Sequence, residues 1–254
     1  MRVCFFATCL VDRLLPDAGM AAARLLRTLG TDVIVPGAAT CCGQPAFNAG
    51  YAADARRIAA HTLRALDRED YVVLPSGSCA AMLRHHWSEL LDDGAGERAG
   101  ALADRTFELA EFIVRVLGIT HIGDGLHGRR IAWHHGCHAL RELGVREEPL
   151  LLLRNAGASI VDWEAAEECC GFGGLFAVKL PEVSVAMADR KLDTLVQSPG
   201  STAGATTEGP AVDVLSSADG GCLLHMAGRM RHRGIGIPVR HIAQLLEEAA
   251  RGTA

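Results

Sequence analysis

Nine cysteines stand in this 254-residue chain, and eight of them repeat one spacing. Cys41-Cys42-Gly43 and Cys169-Cys170-Gly171 match, and a lone cysteine, Cys9 or Cys137, precedes each by 32 positions. Another cysteine follows each, Cys79 in the first set and Cys222 in the second. Two matched quartets of thiols are the donor set for two metal centres. Gly43 and Gly171 allow close backbone approach or positive φ, so that two adjacent cysteines on a loop can turn toward one centre. Structural zinc is usually held through C-x-x-C pairs, and this chain has none. The same absence excludes the thioredoxin motif, the bacterial ferredoxin run and the C-x-x-C-H haem site. Four thiolates per set match an iron–sulfur cluster, with a zinc-stabilised, non-redox scaffold as the rival reading.

The elements that must carry these cysteines alternate. In the first half, residues 2–6 read as a buried strand leading to Cys9, residues 18–29 as a helix stopped by Gly30, and 33–35 as a strand stopped by Pro36. Cys41 and Cys42 follow on a loop, then a helix over 51–66, a strand over 71–74, Cys79 at a helix start, and a helix over 107–117. The second half replays this with a strand at 130–133 before Cys137, a helix at 147–154, and a strand at 159–162 before Cys169. A helix at 183–196, a strand at 212–215, Cys222 opening a helix, and a helix at 239–250 complete it. Strands alternating with helices predict an α/β fold: two repeated βα units, parallel sheets covered by helices, related by a pseudo-twofold. The units are expected at 1–120 and 121–254. Cysteines at the C-terminal ends of strands lie where open parallel sheets gather ligands, and helix starts favour an anionic thiolate. The second repeat is longer by 15 positions, which fall within 197–210, a Gly/Ser/Thr-rich stretch with the composition of a solvated loop.

Composition narrows the partners. Twenty-five basic against 30 acidic side chains give a net charge of −5, so no broad basic field invites nucleic acid or a membrane surface. No apolar run approaches the ~18 residues of a membrane span. The N-terminus lacks a secretory pattern, and an odd cysteine count without disulfide-like clustering points to a reducing, cytoplasmic setting. No Ser–His–Asp, H-E-x-x-H or paired-carboxylate pattern supports hydrolysis, and no catalytic side chain is assigned. Gly171-Phe172-Gly173-Gly174 lacks G-x-G-x-x-G and follows a ligand cysteine, so nicotinamide or flavin binding is rejected there.

The two C-x31-C-C-G blocks with a downstream cysteine resemble the CCG-domain proteins, which include a cysteine-rich subunit of heterodisulfide reductase and the lactate utilisation protein A family. The likeness spans nearly the whole chain. Three strings draw it toward the lactate family: Cys4-Phe5-Phe6-Ala7-Thr8-Cys9-Leu10-Val11-Asp12, Pro75-Ser76-Gly77-Ser78-Cys79-Ala80-Ala81-Met82 and His134-His135-Gly136-Cys137-His138. The resemblance implies an oxidoreductase: the iron–sulfur subunit of an L-lactate oxidation complex, turning lactate into pyruvate. It implies two clusters, [4Fe–4S] by the count of four cysteines, a second iron–sulfur protein and a third partner, and L-lactate or a related 2-hydroxy acid as substrate. A glycolate or glycerol-3-phosphate dehydrogenase iron–sulfur subunit is the alternative, although those chains usually add C-x-x-C runs. Heterodisulfide reductase usually has a fifth cysteine three residues after the last; here those positions are Met82 and His225. Met82 reads as packing. His225 is either a ligand or a hydrogen-bond donor tuning the cluster. His134, His135 and His138 surround Cys137 without counterparts around Cys9, and read as donors to sulfur or substrate, or as core histidines. His85 and His86 read as a solvated helix surface, and Cys4, outside the repeat, as a small buried strand residue.

Overall fold

The first strand of each half sorts its side chains by period two. Val3 and Phe5 turn to one core while Cys4 and the next residue along that face, Phe6, turn to another. In the second half Ile131 and Trp133 join the same core as Val3 and Phe5, whereas Ala132 faces away. Each sheet is therefore buried on both faces, the condition under which parallel sheets are found.

The computed structural model describes residues 1–66, 70–197 and 212–252. The first repeat runs β1 (Arg2–Phe5), α1 (Cys9–Leu14), α2 (Pro16–Thr28), β2 (Asp32–Ile34), α3 (Gln44–Asn48), α4 (Ala52–Leu66), β3 (Tyr71–Leu74), α5 (Gly77–Ala81), α6 (Trp87–Leu90), α7 (Asp93–Ala103), β4 (Thr106–Glu108) and α8 (Leu109–Glu111). π-Helical turns at Met82–His86 and Phe112–Val116 extend α5 and α8. The second runs β5 (Arg130–Trp133), α9 (Cys137–Arg141), α10 (Glu147–Asn155), β6 (Ser159–Val161), α11 (Leu175–Lys179), α12 (Pro181–Gln197), β7 (Val214–Ser217), α13 (Gly220–His232), β8 (Val239–His241) and α14 (Ile242–Arg251). All pairings are parallel, in the orders β2-β1-β3-β4 and β6-β5-β7-β8. The α/β fold with two repeated units is as the sequence predicts.

Helix pairs across the junction come in exchanged couples, the mark of a pseudo-twofold. α2 packs on α14 while its counterpart α10 packs on α8; α5 packs on α9 while α13 packs on α1. Pro16 opens α2 at a position that needs no N–H, and Gly30, at φ 85°, follows its end. Leu25 and Leu26 of α2 and Leu245 and Leu246 of α14 are fully buried in the shared core. Each is worth roughly 1.5–3 kcal/mol relative to exposure.

Two expected helices are corrected. The segment 107–117 begins as strand β4, and 239–250 begins as strand β8; each supplies the fourth strand of its sheet. Both are three-residue edge strands that enter a helix with no intervening turn, so no punctuation marks the change. Glu108 and His241 end these strands as helix caps, each in a reciprocal capping box. Helices α1, α3, α6, α7, α9 and α11 are additions to the elements expected from the sequence. The strand expected at 212–215 lies at Val214–Ser217, and the loop expected at 197–210 falls, beyond Gln197, outside the described residues. Among the described residues no helix is long and apolar enough to cross a membrane.

Candidate metal centres

Each quartet is assembled by the same devices. Cys9 and Cys137 open α1 and α9 just beyond the first strand of each sheet. Thr8, which delivers Cys9, has φ 67°, the one positive φ outside glycine among the described residues. A β-branched residue there is strained, a cost found at sites the surrounding fold over-determines. Gly43 and Gly171 take left-handed conformations at φ 85° and 87°. A Cβ on Gly171 would lie 2.6 Å from Ser184 O, and one on Gly43 3.1 Å from Ala55 O. Only glycine lets the Cys-Cys loop close on the following helix. Cys79 sits in the first turn of α5, where its N–H donates to the capping Ser76 hydroxyl at 3.3 Å, and Cys222 in the first turn of α13.

The thiols are crowded. Cys9 and Cys41 Sγ are 3.4 Å apart, Cys42 and Cys79 3.2 Å, and Cys170 and Cys222 2.9 Å. Cys137 hydrogen-bonds Cys169. All are free of disulfides. Hydrogen bonds from Cys42 and Cys9 pull Cys41 down to about 3, helped by the Gly43 N–H at 3.4 Å. Those from Cys137 and Cys170 pull Cys169 down to about 2, with the Gly171 N–H at 3.4 Å. Cys9, Cys42, Cys137 and Cys170 go the other way, raised by donating to Cys41 or Cys169 and further by burial. A metal charge placed among such crowded sulfurs lets them ionise together. The donor set fits a metal centre.

Both quartets open on one cavity of about 200 Å³ between the repeats, lined by every quartet cysteine except Cys41. Its polar contributors include Gln44, Asn48, Ser78 and Asp219. Gly174, at φ 62°, brings the loop after Cys170 against Pro45 of the other repeat, which is the structural use of the Gly-Phe-Gly-Gly string.

The remaining candidates separate. His134 is fully buried, and an imidazole nitrogen of it lies within 4.8 Å of Cys170 and Cys222 Sγ, themselves a mutually close pair. Burial, and then the charge of Lys191, push its pKa down to about 3. His135 Nδ1 accepts from Trp133 Nε1 at 3.3 Å. His138 pairs with Glu142 at 2.5 Å and lines the cavity. His225 Nε2 meets Ser184 Oγ at 3.1 Å and Ser184 O at 3.3 Å. His85 is exposed, while His86 is half-buried against Phe47. Met82 and Cys4 are fully buried in a core built mainly by the first repeat and closed by Ala139, Leu143 and Val145 of the second.

Sequence reasoning missed Lys191, Ser184 and Asp219. Lys191 stands in an Asp-Arg-Lys run that reads as a solvated helix face, yet it is fully buried. Its ammonium donates to Ala165 O, and to Glu168 O at 3.0 Å, and sits 4.4 Å from the Trp163 ring centroid. Burial lowers its pKa to about 8. The corresponding position of α4 is Thr62, whose hydroxyl donates to Cys41 O at 2.8 Å. Phe6, Ala55 and Met82 of the core around the first quartet stand where the second repeat has His134, Ser184 and His225.

A family model described as a cysteine-rich domain, CCG, matches residues 3–84 and 131–227. Lactate utilization protein A of Geobacillus sp. is 43% identical over 97% of this chain and 99% of its own length. The Exiguobacterium sp. protein of that name is 41% identical over 98% of each chain, and Lactate utilization protein A 2 of Bacillus cereus 38% identical over 97% and 98%. Fold and site together define a duplicated cysteine-rich-domain protein with clustered thiols. Within that class, the chain belongs to the lactate utilization protein A family.

Proposed function

We propose that this chain is the iron–sulfur subunit of an L-lactate oxidation complex, an oxidoreductase component working in the cytoplasm. Cys9, Cys41, Cys42 and Cys79 would hold one [4Fe–4S] cluster in the unit 1–120, and Cys137, Cys169, Cys170 and Cys222 the other in 121–254. When bound, such clusters supply one-electron storage and transfer at a potential set by their surroundings. The protein's part is positional. The Gly43, Gly171 and Phe172 N–H groups aim at sulfur, and buried side chains around the thiols keep water away. Oxidation of L-lactate to pyruvate releases two electrons and two protons, and two one-electron sites match that count. Other subunits, including a second iron–sulfur protein, would deliver the electrons.

The single observation that supports this most is that both quartets face one cavity, so a charge entering at one is next to the other. The test is L-lactate added to the anaerobically reconstituted complex while this subunit's cluster signals are followed by EPR. Reduction of those signals in step with pyruvate formation is expected. Acceptor reduction at an unchanged rate with Cys42→Ser or Cys170→Ser would contradict the proposal.

A further inference from the structure

The repeat allows each residue at the second centre to be compared with its counterpart at the first. Phe6 and His134 occupy the same rung: Phe6 N–H donates to Val73 O at 3.0 Å, and His134 N–H to Ser216 O at 2.8 Å. Both side chains are buried, 1% and 0% exposed. Phe6 offers no donor atom. His134 offers two nitrogens, and their environments differ.

His134 Nδ1 lies 3.3 Å from Ala166 O. A carbonyl oxygen can only accept, so Nδ1 carries the proton and Nε2 is left with a lone pair. That Nε2 is sealed from water and has no hydrogen-bond partner. An orphaned buried acceptor is costly and calls for an occupant. The neighbouring thiols say which one, since Cys170 and Cys222 Sγ share a 4.8 Å group with this imidazole. A histidine whose other ring N–H is fixed by a backbone carbonyl is arranged as metal-bound histidines are. His225 is placed differently, its Nε2 being engaged with Ser184.

We propose that His134 Nε2 is a nitrogen ligand to the metal centre held by Cys137, Cys169, Cys170 and Cys222, so that the second centre has five protein donors and is not a cube closed by four cysteines, and is mixed sulfur–nitrogen where the first is sulfur alone. The assignment rests on reading the quartets as metal centres. It gives the two centres different ligand chemistry, and so lets spectroscopy tell them apart.

The test uses the full chain, purified anaerobically, with its metal and labile sulfide measured first. X-ray absorption at the edge of the bound metal should show a nitrogen as well as sulfur in the first shell. After reduction, protein carrying ¹⁵N-histidine should show a strongly coupled nitrogen in pulsed EPR on one of two cluster signals. His134→Phe, which copies the first repeat, should abolish that coupling and leave the other centre's signal intact as a check on folding. His225→Ala should leave the coupling in place. A sulfur-only shell in iron-loaded wild-type protein, or a coupling that survives His134→Phe, would overturn the ligand assignment while leaving the iron–sulfur reading standing. Zinc with a nitrogen in its shell and no sulfide would do the reverse. Protein that takes up no metal would overturn both.

Discussion

Ser78 and Asp219 join the two repeats through one carboxylate oxygen: Asp219 Oδ1 accepts the Ser78 N–H at 3.0 Å and its hydroxyl at 2.7 Å, and the Ser76 hydroxyl at 3.1 Å. Ser76 and Asp219 are the residues immediately before α5 and α13, the helices that carry Cys79 and Cys222. The starts of the two cysteine-bearing helices are therefore fastened to each other. Asp219→Ala leaves the half-buried Ser78 N–H and the buried Ser76 hydroxyl without this acceptor and should cost about 1–3 kcal/mol, whereas Asp219→Asn, which keeps an acceptor, should cost clearly less. Denaturant unfolding of both variants checks this; equal losses would mean that packing, not the acceptor, holds the junction.

Glu108 gives stability a pH slope. It is fully buried; Oε2 accepts the Ala110 and Glu111 N–H groups at 2.8 and 3.1 Å, while Oε1 has no hydrogen bond. Burial pushes its pKa up to about 8 from the ordinary 4.5. Between those values the folded protein holds a proton that the unfolded chain has released, so its contribution is full below 4.5 and is lost as pH rises through 8. The loss is expected to be a few kcal/mol, at about 1.4 kcal/mol per unit. Glu108→Gln should flatten the slope, measured by unfolding across that range; an unchanged slope would place its origin elsewhere.

Lys191 sets the second centre apart electrostatically. Its position in the first repeat is the neutral Thr62, so among the described residues only the second quartet has a fully buried cation close by. Positive charge favours the electron-rich state. Lys191→Met should therefore lower the second centre's reduction potential, through the loss of a unit charge acting across the protein's effective dielectric. A redox titration followed by EPR would show one signal moved and the other fixed. Equal movement of both would contradict the local assignment.

The repeats should load independently. Cys42→Ser and Cys170→Ser are each expected to remove about half of the bound metal, leaving the other half's spectrum unchanged. Cys4→Ser should keep full loading, because Cys4 is in β1 on the core-facing side, among Phe6, Val72 and Leu74. Metal analysis with circular dichroism separates lost loading from lost folding; loss of both signals in one quartet variant would refute independence.

The cysteine spacing made the duplication legible, and buried apolar strands followed by helices made the parallel sheets legible. What hid the fourth strands was their brevity and the absence of a turn before Leu109 and Ile242. The thiol quartets were readable because each half carries the same spacing. Lys191 was not, because a lysine in a charged helical run betrays burial only when the opposite wall, here Trp163 and the carbonyls of Ala165 and Glu168, is known. In the sequence His134 is a histidine without a counterpart near Cys9. The lone pair on its Nε2 became visible only through the carbonyl of Ala166, 32 residues away.

The most direct measurement is iron and acid-labile sulfide per chain in protein prepared without oxygen. Two four-iron, four-sulfide clusters predict about eight of each. Stoichiometric zinc without sulfide would contradict the account at its root.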